Sequence, residues 1–323
     1  MAVPTKYVLQ HGATIGTLGK VAVESWKRKL FKGQRQLTTP GPEYTRTLPP
    51  RNPELVRDFI AAMGGNPAEY EGVLPPYFFP QWIFASSFDT IKDIPYSLLN
   101  LLNGGARMEI HEPIPAGEEL IVRAHLENID DNGRRAVVHQ ILEHGTKSVP
   151  HALTTHLYAV IPLPRKKGEP KPAGESKKDK EKAIVPPDAR EIATMHVTEG
   201  TALDFAKLTG DFNPIHWVPP YAKASGFPNT ILHGYCTMAR SFERIRRHVL
   251  AEGEKFTVFD VKFTKPLVLP RDVAVFVDDE RNLYVGEAKG SDAFMTGSYE
   301  TDAPAKKKPA KKSAPKKKTN GHA

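Results

Sequence analysis

Residues 204–214 read D-F-A-K-L-T-G-D-F-N-P, and residues 58–67 read D-F-I-A-A-M-G-G-N-P. Both open on Asp-Phe, pass through a short apolar run, break at glycine and close on Asn-Pro, with the aspartates 146 positions apart. Farther along, residues 108–124 (MEIHEPIPAGEELIVRA) are answered by residues 261–277 (VKFTKPLVLPRDVAVFV), 153 positions apart at the prolines 113 and 266. A repeat of this length means two copies of one folding unit rather than a short-period solenoid. A chain of 323 residues is long enough for two such units.

Each copy begins with a short helix. In the first, Asn52 suits an N-cap and Pro53 the first helical position. Leu55, Val56, Phe59, Ile60 and Met63 form one apolar face before Gly64-Gly65 stops it. In the second, Thr198 caps a run of Leu203, Phe205, Ala206 and Leu208 that ends at Gly210. A longer helix follows from Gly234, with Tyr235, Met238, Phe242, Ile245 and Val249 spaced at three to four.

Strands come next. Phe259/Val261/Phe263, Val273/Val275/Val277, Leu283/Val285 and residues 294–300 alternate, separated by D-D-E-R-N and K-G-S-D turns. The first half repeats this with Leu120/Val122/Ala124/Leu126, Val138/Gln140/Leu142 and Leu153/Thr155/Leu157/Ala159/Ile161. A long helix followed by an antiparallel meander predicts an α+β fold in which a curved sheet wraps the helix. Two such units side by side give one continuous sheet. The boundaries predicted are an N-terminal arm (1–43), a first unit (44–164), a charged linker (165–183), a second unit (184–302) and a disordered Lys-rich tail (303–323).

The net charge of +8 is carried outside the units. Residues 303–323 hold eight lysines and no acid, and residues 165–182 add eight basic against four acidic groups. The remaining body is therefore acidic. Low-complexity segments of this kind read as a solubilising tail and a flexible linker, with no aromatic stacking or base readout for specific nucleic-acid binding. No apolar run reaches the length of a transmembrane helix, and the first 20 residues lack a secretory apolar core. The single cysteine, Cys236, excludes an intrachain disulfide and agrees with a reducing cytoplasm.

Residues 210–234, GDFNPIHWVPPYAKASGFPNTILHG, concentrate the polar chemistry. Pro214 drives Asn213 into extended geometry, so Asp211, Asn213 and His216 share a tight loop. An acid and an imidazole on one loop suit general acid–base work on a single water. The competing reading is that Asp211 caps a turn and His216 is packed. A metal site is not expected, because D-x-N-x-x-H offers too few ligands at a familiar spacing. The closing His233-Gly234 shifts the balance towards chemistry. A glycine at a helix start presents an N–H, backed by the helix dipole, to an oxygen that gains negative charge.

The runs G-D-F-N-P-I-H, A-x-x-x-G-F-P and I-L-H-G resemble the hydratase motif of MaoC-like dehydratases and (R)-specific enoyl-CoA hydratases, which have the hotdog fold. The first half is similar to members with two hotdog units, through residues 74–88, 94–110 and the strands after them. The resemblance implies a double hotdog that reversibly adds water to trans-2-enoyl thioesters in fatty-acyl metabolism, a hydro-lyase requiring no cofactor. It further implies that Asp211 and His216 hold and activate the water and that the Gly234 N–H polarises the thioester carbonyl. Asn213 and His233 take supporting roles.

The first half departs from the motif. Gly65 or a gap stands at the position of Asp211, no histidine follows Asn66-Pro67, and residues 74–88 contain no His-Gly. That unit is expected to be catalytically silent. Its Tyr77, Phe78, Trp82 and Phe84 are candidates for the acyl chain, with a core role as the alternative. Arg240 and Arg244 are candidates for an anionic carrier, coenzyme A or acyl carrier protein, and a homodimer is conceivable. Cys236 reads as a core residue. The alternative functions are a hotdog acyl thioesterase, or a non-catalytic thioester- or polyanion-binding protein.

Overall fold

The computed structural model describes residues 3–12, 16, 38–98, 101–163 and 183–303; the charged linker and nearly all of the Lys-rich tail lie outside them. Twelve strands are found among these residues: β1 (Tyr44–Leu48), β2 (Val73–Leu74), β3 (Leu102–Ile110), β4 (Ile114–Pro115), β5 (Leu120–Asp131), β6 (Arg135–Gly145), β7 (Leu153–Pro162), β8 (Arg190–Val197), β9 (Phe256–Phe263), β10 (Arg271–Val277), β11 (Asn282–Gly286) and β12 (Ala293–Thr301). Ten of them form one antiparallel sheet in the order β1-β5-β6-β7-β3-β9-β12-β11-β10-β8. The order is the same read outward from the centre in either direction. The two halves join through β3 and β9, with Gly105 opposite Lys262 and Glu109 opposite Val258. The repeat is therefore a double hotdog with a continuous sheet.

The helices are α1 (Pro53–Met63), α2 (Phe84–Ile91), α3 (Glu199–Thr209), α4 (Pro219–Ala224) and α5 (Gly234–His248). The Asn52 side chain accepts from the N–H groups of Glu54 (2.9 Å) and Leu55 (3.4 Å), as an N-cap should. At α3 the Thr201 hydroxyl accepts the N–H of Thr198 at 3.1 Å. The meander strands lie where the alternation of apolar residues places them. The edge strands β1 and β8 carry no such alternation in the sequence, and β8 is held by pairing to β10.

The two units differ around their central helix. In the second unit α5 is one fifteen-residue helix. In the first, the equivalent segment breaks into a 3-10 turn, Pro76–Gln81, and the eight-residue α2. Pro80 and the crowding of Tyr77, Phe78, Phe79 and Trp82 prevent a continuous α-helix there. One large core nevertheless spans both units. Phe59 of α1 packs on Phe78 (4.6 Å between centroids) and Phe205 of α3 (6.1 Å), and Tyr77 packs on Phe242 of α5 (5.0 Å).

Candidate active site

α3 ends where Gly210 turns into the left-handed region at φ +83°, its N–H returning to the Ala206 carbonyl at 2.8 Å. Gly64 ends α1 in the same way at φ +87°. The turn releases the chain into Asp211. The Asp211 N–H is donated to the Thr209 hydroxyl (3.3 Å), and Asp211 Oδ1 accepts from the Asn213 N–H (3.4 Å). Asn213 in turn accepts from the Ile215 N–H at 3.3 Å, capping the 3-10 turn Pro214–His216. These local bonds direct Asp211 and His216 to the same side of the loop.

His216 donates its Nδ1–H to the Ile231 carbonyl at 2.8 Å. A carbonyl only accepts, so the tautomer is fixed and Nε2 is left as an acceptor. His233 is buried, stacks on His216 with ring centroids 3.6 Å apart, and donates Nε2–H to the Asp211 carbonyl at 3.1 Å. His233 thus braces both members of the pair. Burial pushes His216 below the usual imidazole range, against the pull of Asp211, and pushes His233 well below it. The 3.9 Å approach of His233 Nε2 to Asp211 Oδ2 is therefore a neutral contact rather than an ion pair. Burial raises the Asp211 carboxyl, and His216 draws it part of the way back.

Candidate ligand atoms of Asp211, His216 and His233 lie within 4.8 Å of one another, the one such cluster among the described residues. That span is within the reach of two hydrogen bonds of about 2.8 Å end to end, so the acid and the imidazoles stand close enough to act on one small group. The same three residues suit a metal poorly. The imidazoles are stacked, with ring centroids 3.6 Å apart and planes 24° apart, so their lone pairs run side by side instead of converging on one ion.

Gly234 opens α5, so its N–H has no intrahelical acceptor. It also has a steric reason to be glycine: a Cβ there would meet the Phe263 ring at 2.7 Å. In the first unit, at the place of Asp211, Gly65 follows the left-handed Gly64. A Cβ on Gly65 would meet the Glu243 carboxyl carbon at 2.9 Å. Two residues after Pro67, where the second unit has His216, stands Glu69, ion-paired to Arg246.

The remaining candidates lie elsewhere. Tyr77 and Phe78 are fully buried among Phe59 and Phe242, and Trp82 donates its indole N–H to His144 at 3.1 Å. These three form the core; Phe84 is half-buried at the start of α2. Arg240 and Arg244 sit two and three turns along α5 from Gly234, roughly 9 and 15 Å away at the helical rise. Arg244 donates to the Met63 carbonyl at the end of α1 (2.9 Å). Cys236 is fully buried, its thiol pushed up to about 12 by burial. Three further residues adjoin the loop or the start of α5 and were given no site role by the sequence. Trp217, 42% exposed, lines a groove of 190 Å³ with Leu203, Pro219 and Thr230. Tyr235 packs edge-on against Phe79 of the first unit. His11 of the arm lies against Gly210. The exposed aromatic after His216 was the only local signal of these.

Comparison with known proteins supports the fold. Residues 184–290 match a model described as a MaoC like domain, and residues 56–146 match a FAS1-like dehydratase domain region. The chain is 29% identical over 202 residues to 3-hydroxyacyl-thioester dehydratase X of Mycobacterium tuberculosis, covering 60% of this chain and 67% of that protein. It is 32% identical over 201 residues to a peroxisomal hydratase-dehydrogenase-epimerase of Neurospora crassa, covering 59% of this chain but 21% of that longer protein. It is 28% identical over 154 residues to the peroxisomal enoyl-CoA hydratase 2 of Arabidopsis thaliana, covering 45% and 48%. A crystal structure of HtdX from Mycobacterium tuberculosis superposes with a TM-score of 0.63 at 20% identity, over 80% of this chain and 99% of that one. A MaoC-like dehydratase from Phytophthora capsici gives 0.58 at 20%, over 82% and 97%. No helix among the described residues is long and apolar enough to cross a membrane. Both halves thus match dehydratase models and the architecture is shared with MaoC-like hotdog structures: the second unit carries a MaoC like domain and the first a FAS1-like dehydratase domain region.

Proposed function

We propose that this chain is a 3-hydroxyacyl-thioester dehydratase and (R)-specific enoyl-thioester hydratase, a hydro-lyase with one site per chain. The observation that carries this reading is the pairing of the Asp211 carboxyl with an imidazole whose tautomer is fixed. A water held between Asp211 and His216 Nε2 is placed to lose a proton as its oxygen bonds to C3 of a trans-2-enoyl thioester. Electrons move to the thioester oxygen, where the Gly234 N–H and the α5 dipole stabilise the enolate-like charge. The proton taken from the water is held by the Asp211/His216 pair, which returns a proton to C2 to complete hydration, and the reverse sequence is dehydration.

The first unit supplies the fold partner but not the chemistry, since Gly65 and Glu69 occupy the places of acid and imidazole. The carrier is a coenzyme A or acyl carrier protein thioester, and one chain already brings together the two hotdog units. A reducing cytoplasm fits the lone buried cysteine, and localisation of a tagged full chain distinguishes it from the peroxisome of two relatives.

The test follows the enoyl-thioester absorbance with crotonyl and longer-chain substrates. Asp211→Asn and His216→Gln should each lower turnover by about 10²–10⁴ while circular dichroism stays native. Full activity in either folded variant rejects the assignment. Release of free thiol, followed with a trapping dye, would instead identify a thioesterase.

A further inference from the structure

Asp58 and Asp204 open the two repeated stretches, and the chemistry above uses neither. Both bind the N-terminal arm. The Tyr7 hydroxyl donates to Asp58 Oδ2 at 2.6 Å, and the Val3 N–H donates to Asp204 Oδ1 at 3.2 Å. Lys207 Nζ closes the second contact by donating to the Val3 carbonyl at 3.0 Å, and Lys6 pairs with Glu54 of α1 at 2.5 Å. The 3-10 segment Thr5–His11 therefore spans both repeated helices, with Tyr7 fully buried.

The segment ends on His11, which is 2% exposed. Its Nε2–H is donated to the Lys207 carbonyl at 2.7 Å, in the last turn of α3, where carbonyls have no intrahelical donor. Its ring covers Gly210, so closely that a Cβ on Gly210 would lie 2.9 Å from His11 Cβ and Cγ. Gly210 is the left-handed turn that delivers Asp211. A side chain about 200 residues away in sequence thus caps the helix and covers the hinge of the catalytic loop.

We infer that the N-terminal segment is a clasp and that His11 is a positioning residue, holding the α3–Gly210 turn so that Asp211 stays within reach of the water at His216. The inference rests on the assignment of Asp211 as the acid. Without the His11 donor the last turn of α3 frays and the carboxyl samples positions away from the water, which lowers turnover more than substrate binding.

The experiment compares His11→Leu, which removes the donor, with His11→Gln, whose amide N–H reaches the place of Nε2–H, in the full chain. His11→Leu should lower kcat by about ten- to a hundredfold with KM within about twofold, and should speed amide hydrogen exchange over residues 208–213. His11→Gln should recover most of kcat and the protection. If His11→Leu does not accumulate as folded protein, His11→Asn serves beside His11→Gln, its shorter amide falling short of the Lys207 carbonyl, and it should be the slower of the two. A folded His11→Leu with native kcat overturns the inference, and so does a His11→Gln as slow as His11→Leu. Asp211→Asn run in parallel separates the failures. If that variant keeps activity the site assignment is wrong; if it is inactive while His11→Leu is not, only the clasp is wrong.

Discussion

Gly234 shows how one residue answers two demands. The proposed mechanism needs the first-turn N–H open, and the Phe263 ring leaves no room for a Cβ. Gly234→Ala separates them, because alanine keeps the N–H. It should destabilise the fold by about 1–3 kcal/mol through overpacking, read by denaturant titration, and turnover should fall as α5 is displaced. The double variant Gly234→Ala/Phe263→Leu should regain stability; if it does not, the ring contact is not what selects glycine. The Asp211/His216 pair follows a similar logic. The acid, the imidazole and the Asn213 cap are legible in D-F-N-P-I-H because their bonds run over two or three residues. The Ile231 carbonyl that fixes the His216 tautomer lies 15 residues on, and nothing in the motif points to it.

Among the elements, α5 carries the site at one end and the junction between units along its length. Glu243 is fully buried on it. The Tyr70 hydroxyl donates to Glu243, as does the Arg246 guanidinium (2.8 Å), which also pairs with Glu69. Tyr70 and Glu69 belong to the first unit, so the network ties α5 to the turn after α1. Glu243→Leu leaves Arg246 short of its buried partner. The expected loss is below the about 3–5 kcal/mol of a fully buried pair, because Arg246 is about a quarter exposed. Thermal unfolding should report it, while kcat per folded molecule stays near native, since the network lies away from Gly234. A loss of kcat without loss of stability would show that α5 transmits strain to the site. The periodicity of α5 and the Asn52 cap of α1 were readable beforehand. The broken helix of the first unit has one local signal, Pro80, while the aromatics around it read equally well as a helical face.

At the scale of the molecule, several histidines are held neutral by burial. His144 is fully buried between Trp82 and Thr155, its imidazole lowered to about 3. His11, His216 and His233 are lowered by burial as well. Below about pH 6.5 the unfolded chain takes up protons that these groups refuse in the native state, so stability is full above that value and falls with pH below it. His144 alone contributes a slope approaching about 1.4 kcal/mol per pH unit between its unfolded and folded values. Burial of the Asp211 carboxyl acts in the opposite sense, favouring the native state where it is protonated. Urea titrations from pH 8 to pH 5 should show stability falling toward acid, and His144→Phe should flatten the curve; a curve level with pH contradicts the buried neutral assignment. Activity should also fall toward acid, as the proposed Asp211/His216 pair takes up protons.

The sequence by itself determined the repeat, the meander strands, an α+β fold with a sheet wrapped on a helix and the loop that bears acid and imidazole, while the resemblance of the motif implied the hotdog class. Strands, helix ends and loop depend on periodicity, capping or turn chemistry within a dozen residues, and such interactions leave their pattern in the local text. Only the tertiary structure decided that His233 stacks beneath His216, that Phe263 excludes a side chain at Gly234, that Tyr77 and Phe78 fill the core, and that His11 closes over Gly210. Those contacts join residues from 17 to about 200 positions apart, where packing and burial select the partner and no local spacing records the choice.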